Sequence, residues 1–195
     1  MTCLCDSDIA TAILEERFSI TDFLDLTEQI QPASIDLRLG NELRRIVGGV
    51  YDTDYVNVQN QSIMTECVLM SVSGYYMQPG DFLLATTMES VRLGNSLRGV
   101  IHNKSTPARM GLSICNDSAF IDPGFSGQIT LELVNHGPRP IILRPGVMLC
   151  QLELSELSRP CSIPYGKERG SHYQDQKGPT PATRQGAPKS PESQS

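Results

Sequence analysis

Hydrophobic and polar residues alternate with a period of two along most of this chain, which predicts strands rather than helices. In Ser34-Ile35-Asp36-Leu37-Arg38-Leu39, the Ile and Leu side chains face one way and Ser, Asp and Arg the other. The same pattern predicts strands at 43–47, 67–72, 81–87, 97–102, 111–115, 128–134, 141–143 and 147–154. Turn sequences separate them: Gln-Pro-Gly-Asp at 78–81, Asp-Pro-Gly at 122–124, His-Gly-Pro at 136–138 and Arg-Pro-Gly at 144–146. Near the N-terminus the spacing changes to three and four. Ile9, Ala12, Ile13 and Glu16 predict one helix there, capped by Asp6 or Ser7. Short strands, regular turns and a single early helix predict a mainly β fold, an all-β barrel or jelly roll.

Composition supports this picture and adds an appendage. Gly and Pro supply 29 of the 195 residues, above their ordinary combined share of about 12%, which suits turns between strands. The length fits one domain. Residues 166–195 contain no Val, Ile, Leu, Met or Phe, and Tyr173 is their only aromatic. Such a segment cannot bury apolar surface by itself. The expected organisation is a β domain over 1–165, an arm over 166–182 and a disordered tail over 183–195. The last 30 residues carry a net charge of +2 within an overall −6, so the body carries −8. The arm reads either as a plain tail or as a segment that closes over an anionic ligand, completing a neighbouring site.

Charge and hydropathy narrow the partners. An acidic chain with no basic stripe argues against duplex DNA and anionic membranes. No apolar run approaches the roughly 18 residues of a membrane span. The opening MTCLCDSDIA has no basic region followed by an apolar core, so a cytoplasmic location is expected. The cysteines at 3, 5, 67, 115, 150 and 161 show no metal-ligand spacing and are expected to be buried or idle thiols.

Three segments place polar residues where a core strand would not. Lys104-Ser105-Thr106-Pro107-Ala108-Arg109 sets two hydroxyls between two cations, and Pro107 breaks any regular strand. Hydroxyls and fixed cations suit phosphate oxygens, although the same residues also suit a solvated turn. Asp122-Pro123-Gly124 forms a tight turn whose carboxylate can accept from a sugar hydroxyl, or serve as a hairpin and nothing more. In Gln128-Ile129-Thr130-Leu131-Glu132-Leu133-Val134, alternation places Thr130, Glu132 and Val134 on one face. A half-desolvated Glu132 would have a raised pKa, suited to general acid–base work; an exposed surface Glu is the equal alternative. The H-x-E with P-C-x-x-C of zinc deaminases is missing, as are G-x-x-x-x-G-K-[ST], G-x-G-x-x-G and G-x-S-x-G. The histidines at 102, 136 and 172 lie in no triad context.

In order along the chain, these segments resemble the dCTP deaminase family of the trimeric dUTPase-like superfamily. The resemblance rests on L-C-D-S-D-I (4–9), Q-P-A-S-I-D-L-R-L-G (31–40), K-S-T-P-A-R-M-G-L (104–112), I-D-P-G-F-S-G-Q-I-T-L-E-L (121–133) and R-P-G-V-M-L-C-Q-L (144–152). Pro164-Tyr165-Gly166 and Tyr173 through Pro181 resemble the family's C-terminal arm. The resemblance implies a distorted, jelly-roll-like β-barrel and a homotrimer with active sites at subunit interfaces. It further implies hydrolytic, zinc-independent deamination of dCTP to dUTP and ammonia, with Mg²⁺ carried on the triphosphate. By position, Glu132 matches the family's catalytic base, Ser105 the residue holding the attacking water, and Arg109 the arginine ordering the site. Asp122 matches the sugar-binding aspartate, and the backbone around Ile129 and Thr130 the base-reading segment. Lys104, Thr106, Gln151, Tyr165 and Gln176 match triphosphate or arm contacts.

The chain departs from the family pattern in places. His172 stands where the arm usually has Lys, and Asp117-Ser118 where Thr-Ala precedes the turn, altering the water-holding loop near Ser118. Asn103 and Pro107 also replace the usual residues. Three alternatives stay open: a bifunctional enzyme that continues to dUMP and pyrophosphate, a plain dUTPase, and a nucleotide-sensing module without turnover.

Overall fold

The computed structural model describes residues 2–49, 63–115 and 119–182. Asp117, Ser118 and the tail over 183–195 lie outside the described residues. The first elements are β1 (Thr2–Cys3), α1 (Asp6–Leu14), β2 (Phe18–Thr21), α2 (Leu26–Gln29), β3 (Ile30–Gln31) and β4 (Ser34–Arg38). A run of strands follows: β5 (Glu42–Gly49), β6 (Ile63–Leu69), β7 (Tyr75–Met77), β8 (Phe82–Leu93) and β9 (Leu97–Asn103). Then come α3 (Ser105–Arg109), β10 (Leu112–Ser113), β11 (Phe120–Ile121), β12 (Ser126–Asn135), β13 (Ile141–Leu143) and β14 (Met148–Glu156).

One sheet has the order β11-β9-β14-β4-β3, with β1 on β14; the other runs β10-β12-β8-β5-β6, with β2 on β8. Among the described residues neither closes on itself, and the mainly β fold is built of two open sheets on one core. Both sheets feed one apolar core: Ile35, Leu37, Leu97 and Leu152 from the first meet Leu43, Leu83, Leu131 and Leu133 from the second. A small β13–β7 pair stands beside them.

The predicted strands appear close to their expected positions, with informative exceptions. β8 continues to Leu93 instead of ending near 87, because three residues, Thr87 to Glu89, lie opposite the single Ile129. This bulge turns Glu89 into the core, where it is fully buried. Its carboxylate accepts from Arg38 Nε at 2.7 Å, the Arg38 backbone N–H at 2.9 Å and Gln29 Nε2 at 3.0 Å. A charged group mid-strand had hidden the strand's continuation. β4 differs too: Asp36 and Arg38 are buried along with the Leu residues, since each has a charged partner.

Two further helices join the predicted one. α1 starts from Cys5 rather than Asp6 or Ser7, because Asp8 reaches back to accept the Cys5 N–H at 3.3 Å. Asp25 caps α2 by accepting from the Thr27 N–H at 2.8 Å. α3 occupies the K-S-T-P-A-R segment. Pro107 is compatible with it because a first-turn N–H has no intrahelical partner to lose.

Candidate active site

A cleft of about 400 Å³ opens beside β12. The strand's burial alternates along its whole length, so Leu131 and Leu133 enter the core while Thr130 and Glu132 turn toward the cleft, each half-buried. The Glu132 backbone N–H donates to Ile114 C=O at 3.1 Å, fixing this part of the strand on its outer edge. Cys115 lies next along that edge. Its thiol is pushed up to about 12, first by burial and then by the Glu132 carboxylate.

Asp122 lines the cleft from the turn after β11. The turn closes through the Phe125 N–H on Asp122 C=O at 3.1 Å. It contains Gly124 at φ +91°, where a Cβ would lie 2.9 Å from Tyr165 C=O. The Tyr165 N–H in turn donates to Pro123 C=O at 2.8 Å, so turn and arm support each other. Ile129 reaches the cleft beside the β8 bulge. Its N–H donates to Thr87 Oγ1 at 3.0 Å and its C=O accepts from Thr86 Oγ1 at 3.3 Å, so both already have partners in the chain.

The arm lies over the cleft of its own chain. Tyr165 Oη accepts from the Tyr173 N–H at 3.0 Å, and its ring sits 6.0 Å from that of Phe125. From Asp175 the arm follows β12: the Asp175 N–H donates to Ser126 C=O at 2.7 Å, and Gln176 bridges to Gly127 in parallel register. Thr180 then donates its N–H to Thr130 Oγ1 at 3.2 Å. Tyr165, Tyr173, Gln176 and Thr180 thereby line the cleft with Glu132 and Asp122.

Other expected site residues lie elsewhere in the chain. Ser105, Thr106 and Arg109 sit exposed on α3, away from the cleft lining. Lys104, just before α3, is ion-paired with the buried Asp36. Gln151 Nε2 donates to Ser34 Oγ at 3.3 Å, and His172 is exposed with its ring 6.3 Å from Tyr173. Ser118 lies outside the described residues. The sequence marks Tyr173 and Thr180 only by their place in an arm-like segment. All six cysteines are free, but Cys150 alone is buried, so burial is not their common feature. Among the described residues no three His, Cys, Asp or Glu side chains converge as metal ligands. No helix among them is long and apolar enough to cross a membrane.

Comparison with known proteins gives the same fold and a family. The dCTP deaminase-like family profile matches residues 3–157. A "dCTP deaminase, dUMP-forming" of Dictyoglomus thermophilum is 38% identical, covering 91% of this chain and 92% of its own. A "dCTP deaminase" of Halorubrum lacusprofundi is also 38% identical, over 90% and 88% of the two chains. Among solved structures, the 2'-deoxycytidine 5'-triphosphate deaminase from Agrobacterium tumefaciens shares the fold with a TM-score of 0.59 at 24% identity. That match spans 80% of this chain and 48% of the other. The chain belongs to the dCTP deaminase-like family.

Proposed function

We propose that the protein hydrolyses dCTP to dUTP and ammonia, with Glu132 as general base. The observation that carries this reading is a half-buried carboxylate on the cleft side of β12, facing a space that also holds a turn aspartate and a polar arm. Glu132 takes a proton from water as its oxygen bonds to C4 of the cytosine ring. That proton is delivered to N3 as the C4=N3 π pair moves onto it. Glu132 then carries the remaining hydroxyl proton to the amino nitrogen, the C4–N bond breaks with its electron pair on nitrogen as C4=O forms, and ammonia departs. One water is consumed, and one carbonyl oxygen appears at C4. Asp122 accepts from the sugar hydroxyl, while Tyr165, Tyr173 and Gln176 close over the nucleotide. Mg²⁺ enters as part of the substrate on its triphosphate, and zinc has no part in the reaction.

Ser105 and Arg109 complete this scheme from a neighbouring copy. In support, α3 has no buried residue and none of its residues lines its own chain's cleft, as for a segment serving a second subunit. The proposed assembly is a homotrimer with three shared sites. Within it Ser105 holds the attacking water, and Lys104, Thr106 and Arg109 meet phosphate.

The dUMP-forming name of one 38% identical relative favours a second reading, in which dUTP is cut further to dUMP and pyrophosphate. One assay separates the two. Purified protein is incubated with dCTP and Mg²⁺, and ammonia, dUTP, dUMP and pyrophosphate are quantified together. Accumulating dUTP supports the deaminase alone, and pyrophosphate rising with dUMP supports the bifunctional enzyme. Nucleotide binding without ammonia removes both.

A further inference from the structure

Gln128 lies on β12 four residues before Glu132, and every one of its hydrogen-bonding groups is engaged. Its backbone N–H donates to Gln176 C=O at 3.0 Å, and its backbone C=O accepts from Gln176 Nε2 at 2.7 Å. Its side chain spans two elements. Oε1 accepts from the Gly178 N–H at 2.7 Å, and Nε2 donates to Met88 C=O at 3.2 Å. Met88 is the middle residue of the β8 bulge, whose next residue is the buried Glu89 paired with Arg38. The side chain itself is not part of the cleft lining.

We propose that Gln128 is a positioning residue whose side-chain amide latches the arm at Gly178 to the β8 bulge at Met88, holding Gln176 and Thr180 over the cleft. The arm contributes few apolar side chains, so its seating depends on hydrogen bonds, and Gln128 makes three of them. An amide suits the place because it carries one acceptor for the arm and one donor for the bulge. Leu at this position keeps the bulk and loses both bonds. Glu keeps the acceptor for Gly178 but turns its second oxygen toward the Met88 carbonyl. The latch follows from this geometry alone, while its effect on substrate rests on the dCTP reading above.

Hydrogen–deuterium exchange of the full chain without nucleotide tests the latch. In Gln128→Leu, amides over 175–180 exchange about tenfold faster, on the order expected from a lost hydrogen bond. Amides of β9 and β14 keep their protection, and Gln128→Glu falls between Leu and the native chain. If Gln128→Leu folds poorly, the Gln128→Glu comparison gives the same reading. In turnover, KM for dCTP rises about tenfold in Gln128→Leu while kcat stays within about twofold, since the arm acts on retention of the nucleotide. Unchanged exchange over 175–180, or loosening shared equally by β9 and β14, overturns the latch. A native chain that releases no ammonia from dCTP, alongside a loosened Gln128→Leu arm, leaves the latch standing and removes the substrate reading.

Discussion

The ammonium of Lys104 is paired with the carboxylate of Asp36, which is 3% exposed in the middle of β4. The pair ties the start of α3 to β4, which lies two strands from β9 in the same sheet, so the segment carrying Ser105 and Arg109 has a charged anchor. The two partners are unequal. The Lys104 side chain is 27% exposed and can turn to water, whereas Asp36 cannot. Lys104→Met therefore strands a buried carboxylate and should cost about 2–4 kcal/mol. Asp36→Asn frees a cation that rehydrates and should cost about 1 kcal/mol. Urea unfolding of the two variants checks the order, and a larger loss in Asp36→Asn would contradict it.

Gly127 lets the arm approach. Its φ is +131°, and a Cβ there would lie 2.8 Å from the Gln176 backbone nitrogen and 2.9 Å from its carbonyl oxygen. Gly127→Ala should displace the arm and strain the β12 backbone at this positive φ, costing about 1–3 kcal/mol. Its KM for dCTP should rise at least tenfold, approaching that of a chain cut after Tyr165, which should keep its fold and turn over poorly. Steady-state kinetics on both variants decide this, and native KM in either contradicts the closing role of the arm.

Cys115 reports on the charge at position 132. Burial and the neighbouring carboxylate raise its pKa from 9.0 to about 12, so at pH 9 on the order of one thiol in a thousand is reactive thiolate. Glu132→Gln removes the negative neighbour and lowers this pKa, so alkylation of Cys115 at pH 9 should quicken severalfold. Mass-spectrometric labelling rates give the answer, and equal rates would separate the two side chains electrostatically. The same shift predicts alkaline behaviour. Between pH 9 and about 12 the unfolded thiol has lost a proton that the folded one keeps, so stability falls as pH rises through that window. Cys115→Ala should flatten that decline.

Shared sites have a stoichiometric signature. Glu132→Gln and Ser105→Ala are each expected to be inactive as pure assemblies. If Glu132 and Ser105 of one site come from different subunits, dissociating and reassembling the two at equal amounts restores about a quarter of the sites. Activity that stays at background would place both residues in one chain's site, against the exposed position of α3.

Much of this was legible in the sequence, for physical reasons. The alternation around Glu132 survived folding because Leu131 and Leu133 both enter one core, leaving Glu132 on the other face. Local pattern failed where long-range pairing supplied the energy. The strand predicted over 81–87 stops short of Glu89, whose partners Arg38 and Gln29 are 51 and 60 residues away. Asp36 read as a polar-face residue because Lys104, 68 positions on, is what lets it be buried. The arm offers few apolar residues to predict a docking place, since backbone and side-chain groups of Gln176, Gly178 and Thr180 make many of its contacts.

The central claim is that the Glu132 carboxylate moves the proton from water during attack on the cytosine ring. Ammonia release from dCTP by Glu132→Gln, measured beside equilibrium binding of the same nucleotide, tests it most directly. The account predicts ammonia release at least about 10³-fold below the native rate, as expected for loss of a general base, with dCTP affinity within a few-fold of native. Ammonia released near the native rate by Glu132→Gln would contradict it.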